Sequence, residues 1–99
     1  MELQIITYQF ITKEERDLFL AEAKKNKIEE CSQNEIGCLR YEYVIKTDDD
    51  LSLYLIEAWE NEEVKKPHHK MPHFILAMEL KKKYRCVSSK REKFIIQQI

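Results

Sequence analysis

The chain has 99 residues, enough for one domain whose core stays modest unless a partner adds to it. Its 17 basic and 18 acidic residues leave a net charge of -1, so no overall field points to nucleic acid or to a membrane as a partner. Cys31, Cys38 and Cys86 are an odd number of thiols without CxxC spacing, and with no leader-like segment or long apolar run the sequence reads as a cytoplasmic protein with reduced cysteines.

Leu3 to Ile11 reads as the first strand, with Leu3, Ile5 and Ile11 on one face and Ile6, Tyr8 and Phe10 on the other. Apolar residues on both faces predict a strand covered on both sides. Thr12 and Glu15 form a capping box, so a helix starts there. Its apolar stripe is Leu18, Ala21 and Ile28, flanked by Leu20 and Ala23, and its end falls near Cys31 to Ser32. Gly37, the only glycine, turns the chain where a positive φ is tolerated.

Cys38 to Lys46 alternates, with Leu39, Tyr41, Tyr43 and Ile45 on one face and Cys38, Arg40, Glu42 and Val44 on the other. Leu51 to Trp59 repeats the pattern, placing Leu51, Leu53, Leu55, Glu57 and Trp59 together. Thr47 to Asp50 joins the two as a turn whose aspartates can bond their own backbone, which makes a hairpin. Asn61 caps a short helix with Glu62 and Glu63 in its first turn, and Pro67, lacking an N–H, interrupts it. Pro72 suits the first position of the next helix, whose apolar face is Phe74, Ile75, Ala77, Met78 and Leu80. Phe94 to Ile99 reads as the last strand. The fold class is therefore α+β, a ferredoxin-like β-α-β-β-α-β domain over residues 1–99 with one antiparallel sheet and its helices on one face. The other face would be left bare, and a second copy packing sheet on sheet is the expected remedy, so a homodimer is expected.

His68, His69 and His73 are all the histidines and fall within six residues, close after Trp59 and Glu60. An imidazole is the side chain best suited to moving a proton near neutral pH. His69 reads as part of a surface corner. His69 and His73 have the i, i+4 spacing of a metal pair, but Pro72 breaks the segment and no third ligand is evident, so no metal is expected. Tyr8, Phe10, Tyr41, Tyr43, Trp59, Phe74 and Met78 either wall a flat apolar pocket or form plain core. Glu57 shares a face with Leu53, Leu55 and Trp59, and a buried carboxylate requires a partner; Arg40 on the neighbouring strand is the candidate, and a structural ion pair and a pocket acid both stay open. Lys81, Lys82, Lys83, Arg85, Lys90, Arg91 and Lys93 read as solvated surface.

Gly37, Cys38, Leu39, Arg40 and Tyr41, then Trp59 and Glu60, then His68 and Pro72, His73 and Phe74, at their present spacing, resemble the antibiotic biosynthesis monooxygenase (ABM) family. The likeness is sharpest from residue 37 to residue 74 and architectural elsewhere. It implies a dimeric α/β barrel and a monooxygenase that adds oxygen to a small quinol-like or other oxygenated aromatic without metal or flavin, so no cofactor is expected. On that scheme His68 or His73 is the base, Trp59 and Tyr41 are walls, Arg40 is an anion partner, and Glu57, Phe74 and Tyr8 complete the substrate-binding set. Pro67 stands where the family usually has a helix former, which bears on the orientation of His68. Similar enzymes that isomerise a phosphorylated autoinducer-type sugar derivative share the His68 to His73 pattern and an acid like Glu57, but they need a phosphate site that the sequence does not show. Haem-degrading relatives use an asparagine on the first strand, and none precedes Asn26. A non-catalytic ligand-binding or structural dimer is the remaining reading.

Overall fold

In the computed structural model, which describes residues 1–97, four strands form one antiparallel sheet: β1 (Glu2–Phe10), β2 (Cys38–Ile45), β3 (Ser52–Trp59) and β4 (Cys86–Ile95), in the order β2-β3-β1-β4. The connections carry α1 (Lys13–Lys25), α2 (Ile28–Gln33), α3 (Glu62–Lys65), a 3₁₀ turn over Lys66–Lys70, and α4 (Pro72–Lys83). This is the ferredoxin-like arrangement, with the two central strands β3 and β1 hydrogen-bonded on both sides. The core lies between sheet and helices. Ile6, Tyr8, Phe10, Tyr41, Tyr43, Leu53, Leu55 and Trp59 from the strands meet Phe19, Ala23, Ile28, Ala77 and Leu80 from the helices. Phe19 sits edge-on to Tyr8 and Tyr43 with ring centres 5.9 and 5.6 Å away, and burying a side chain of this size contributes about 1.5–3 kcal/mol.

The capping box forms, with Thr12 Oγ1 accepting from the Glu15 N–H at 3.1 Å. The stripe of α1 is different from the one the sequence suggests. Arg16, Phe19 and Ala23 are buried while Leu18 and Ala21 are exposed, because the bulk of Phe19 selects the face that meets the sheet. The helix also breaks earlier: Lys27 adopts a left-handed φ of 55°, and α2 restarts at Ile28 in a new direction. That break places α2 against the free edge of β2. Glu29 Oε2 accepts from the Tyr43 N–H at 3.0 Å, and Gln33 Nε2 donates to the Tyr41 carbonyl at 2.8 Å, so side chains satisfy backbone groups that an edge strand would leave open.

The last strand is longer and earlier than Phe94 to Ile99. β4 pairs along the whole of β1, from Phe10 opposite Cys86 to Glu2 opposite Ile95; residues 98 and 99 of the expected strand lie outside the described residues. The polar run Ser88 to Lys93 hides the strand from a search for apolar alternation, since these residues of an edge strand are all exposed. β1 likewise begins at Glu2 and stops at Phe10, leaving Ile11 exposed. Its far face, with Leu3 opposite Ala58 and Phe94 and Ile5 opposite Ile56, is only partly covered. Among the described residues no helix is long and apolar enough to cross a membrane.

Gly37 holds the turn between α2 and β2 at φ 82°, and its carbonyl accepts from the Glu60 N–H at 2.9 Å. A Cβ there would lie 2.4 Å from Val64 Cγ2. Gly37→Ala is therefore strained in its backbone and blocked by a branched side chain. A loss of about 2–4 kcal/mol in urea unfolding is expected, and a midpoint unchanged from the native protein would contradict it.

Candidate active site

Pro67 ends α3 after one turn, and the chain continues as a 3₁₀ turn that drives His68 inward to 2% exposure. Its ring packs among Trp59, Tyr41 and Phe74, with centres 5.2, 5.3 and 5.1 Å away. Nδ1 lies 2.5 Å from Glu35 Oε2, and His73 Nε2, from the start of α4, lies 2.8 Å from the same oxygen. Glu35 is itself fastened: its N–H donates to the Ser32 carbonyl and its carbonyl accepts from the Cys38 N–H, both at 3.1 Å. A carboxylate only accepts hydrogen bonds, so each imidazole must present an N–H to it. A neutral His68 is then the Nδ1–H tautomer, with its lone pair on Nε2. That atom is buried and has no hydrogen-bond partner.

His68 is one wall of a hollow of about 70 Å³ between the sheet and α4. Gln4, Ile6, Tyr8, Tyr41, Leu55 and Glu57 form its floor, and Lys65, His69, Phe74, Met78, Lys81, Ser89 and Arg91 form its sides and mouth. Gln4 Oε1 is a second buried acceptor left unpartnered. Glu57 Oε1 accepts from Trp59 Nε1 at 2.9 Å. Burial, reinforced by neighbouring phenols and by Glu57, pushes the phenol pKa values of Tyr8 and Tyr41 well up, so both stay protonated and can only share a proton. Burial also lowers the pKa of His69, with His68 and Lys65 adding to the effect. Unpaired buried acceptors in lining residues call for a guest with hydroxyl donors. An engineered apolar cavity that holds benzene measures about 150 Å³, so an aromatic guest must displace side chains at the mouth.

Of the residues singled out in the sequence, Tyr8, Tyr41, Glu57, His68 and Phe74 meet around the hollow. Trp59 is fully buried behind His68 and bonds Glu57 without being part of the lining. His73 lies on the far side of Glu35, beside a surface groove with Ile36, Pro67 and Met71. Arg40 is not at the site. A register shift between Cys38 and Arg40 turns it outward, where it pairs with Glu42 instead of Glu57. His69, expected at a surface corner, and Arg91, expected in a solvated tail, are exposed, and Lys81 of the same tail is half-buried; all three also line the hollow. Glu35 went unremarked in the sequence; its turn lies 33 residues before His68 and carries no motif.

Glu35, His68 and His73 offer three ligand atoms within 4.8 Å of one another, so the third donor missing from the sequence is present. Their spacing is that of hydrogen bonds. A tetrahedral ion with bonds of about 2.1 Å holds its donors about 3.4 Å apart, whereas the two imidazole nitrogens here stand 2.5 and 2.8 Å from one oxygen.

A family model described as antibiotic biosynthesis monooxygenase matches residues 1–80. The chain belongs to this family. Solved structures agree with ABM membership at the level of fold. A candidate antibiotic biosynthesis monooxygenase from Nitrosomonas europaea is 19% identical, with a TM-score of 0.84 over 99% of this chain and 100% of that one. A Bacteroides thetaiotaomicron protein described as a possible oxidoreductase is 24% identical, with a TM-score of 0.76 over 94% and 95%. A variant of SnoaB, a cofactor-independent oxygenase from Streptomyces nogalater, is 15% identical, with a TM-score of 0.70 over 99% and 95%. No curated protein matches the chain. The ABM match ends at residue 80, so Lys81 and the whole of β4, which close the mouth of the hollow, lie beyond it.

Proposed function

We propose that this ABM protein is a cytoplasmic, cofactor-independent monooxygenase acting on a small quinol-like or other hydroxylated aromatic bound in the hollow beneath α4. One observation carries the reading: His68, a lining residue of a hollow walled by phenols and Phe74, is buried, tied through Nδ1 to Glu35, and left with an unpartnered Nε2. On this scheme Nε2 takes the hydroxyl proton of the substrate, and Glu35 steadies the imidazolium that forms. The ionised ring is electron-rich enough to reduce dioxygen directly; one oxygen atom enters the product and the other leaves as water. Gln4 Oε1 receives a second substrate hydroxyl, and the protonated Tyr8 and Tyr41 offer donors to developing negative charge. Oxygen uptake with a panel of quinols, with product mass, tests this; no uptake by any quinol above the buffer rate would overturn it.

The isomerase reading, on a small phosphorylated autoinducer-type sugar derivative, is favoured by one observation that the sequence did not offer: Lys81 and Arg91 stand at the hollow. A ligand-binding dimer without turnover is the outcome if neither reaction is found.

The assembly we propose is a homodimer through the far sheet face, where Leu3, Ile5 and Ile56 are half-buried and Phe94 is exposed. Light scattering at micromolar concentration is expected to give twice the mass of 12.0 kDa. A monomer would contradict it. The unpaired Cys31, Cys38 and Cys86 suit a reducing compartment.

A further inference from the structure

The side chain of Lys81 crosses the mouth of the hollow from α4 to β4. Its Nζ donates to Ser89 Oγ at 2.8 Å and lies 4.3 Å from the centre of the Tyr8 ring. Tyr8 faces Ser89, and Ile6 faces Arg91, so Ser89 and Arg91 share the helical side of the sheet with the floor of the hollow. Lys65, the third strong base there, is neutralised by Glu2 at 2.8 Å. Lys81 and Arg91 have no carboxylate within ion-pair distance among the described residues. Burial works against the Lys81 ammonium, and the nearby Arg91 charge adds to it, so its pKa falls below the ordinary lysine value. Two unneutralised cations are thus held at the rim of a partly dry space, an arrangement that an anion would relieve.

We propose that the mouth of the hollow is an oxyanion site. A carboxylate or phosphate group on the substrate draws Lys81 away from Ser89 and lies against the Lys81 ammonium, the Arg91 guanidinium and the Ser89 hydroxyl, while the rest of the molecule occupies the hollow beside His68. Arginine's planar fork suits either anion, and charge-assisted bonds are about twice as strong as neutral ones. The displacement of Lys81 also widens a space too small for a ring. The inference rests on the hollow being the substrate site; it extends the quinol reading to rings that carry an acidic substituent.

The test compares three ligands that share one ring, hydroquinone, gentisate and hydroquinone monophosphate, by calorimetric Kd in a buffer free of phosphate and carboxylate. At least one anionic ligand is expected to bind at least about tenfold more tightly than hydroquinone, and the better of the two identifies the anion. The gain is expected to vanish in Lys81→Met/Arg91→Met, with the exposed Arg91→Gln as a milder variant that loses part of it; circular dichroism confirms that each is folded. Equal binding of all three ligands, no measurable binding of either anionic one, or a gain that survives in the folded variants would overturn the proposal. Binding is independent of turnover, and oxygen uptake with the same ligands separates the two claims. A tight anionic ligand that is never oxidised would sink the oxygenase assignment and keep the site; oxidation of hydroquinone with no preference for the anions would do the reverse.

Discussion

His68→Ala is expected to lower the initial rate of oxygen uptake with an accepted quinol by about a hundred- to ten-thousand-fold, the usual contribution of a positioned base and its orienting carboxylate. The ring touches Trp59, Tyr41 and Phe74, so the alanine variant also loses packing, and His68→Gln supplies the comparison in which shape is largely kept. Glu35→Gln separates base from scaffold. Its amide can donate, so it no longer compels His68 to hold its proton on Nδ1, and turnover should fall at least about tenfold with little change in KM. His73→Ala removes a second donor to Glu35 without touching the hollow, and its effect should be much smaller. Unaltered turnover in a folded His68 variant removes the base from this account, whatever the substrate.

Lys65→Met is expected to cause the largest loss of stability. Lys65 and Glu2 are 8% and 4% exposed and meet at 2.8 Å, with Gln4 Nε2 donating to the same oxygen at 3.2 Å and the Lys93 ammonium forming a looser ion pair with it at 3.6 Å. Removing the ammonium leaves a buried carboxylate short of its main partner, a loss of about 3–5 kcal/mol. For a chain of this size that is a fall in Tm of more than about 12 °C. Glu2→Gln combined with Lys65→Met should recover part of the loss, because no charge is then stranded. The pair also sets a pH dependence. The hydrogen bond from Lys65 holds the Glu2 pKa below its ordinary value of 4.5, burial opposing it, so the unfolded chain takes up this proton first as pH falls. The contribution is therefore complete above that ordinary value and is lost as pH drops through the lower folded value. Melting curves from neutral pH to about pH 3 should show this loss in the native protein and not in the double variant; identical acid limbs would contradict it.

The hairpin and its buried face were legible because period-2 alternation is a direct image of a pleated strand: Tyr41, Tyr43, Leu53, Leu55, Glu57 and Trp59 are all buried. The break at Pro67 and the restart at Pro72 were legible for an equally local reason, a missing N–H and a fixed φ. Where tertiary packing decided, the sequence misled. The face of α1 follows from where Phe19 can insert between Tyr8, Phe10 and Tyr43, and nothing in the helix alone marks it. The last strand was expected too late, overlapping β4 only at Phe94 and Ile95, because Ser88 to Lys93 pair on one edge only and remain exposed. The outward turn of Arg40 follows from a register shift, which strand parity cannot register. Glu35, Lys81 and Arg91 reach the site region from a turn, a helix end and an edge strand, three places joined only by the fold. The family resemblance pointed to His68 and His73 without distinguishing them; the shared Glu35 oxygen does, with one imidazole at the hollow and the other at the outer surface.

The central claim is that His68 holds a lone pair on Nε2 for a guest in the hollow while Glu35 keeps the proton on Nδ1. Imidazole-nitrogen NMR at neutral pH reads this directly. The account predicts the Nδ1–H tautomer for His68 in the free protein, and a marked change at its Nε2 when a quinol is added. A proton found on Nε2 in the free protein, or a His68 spectrum indifferent to every quinol that binds, would contradict it.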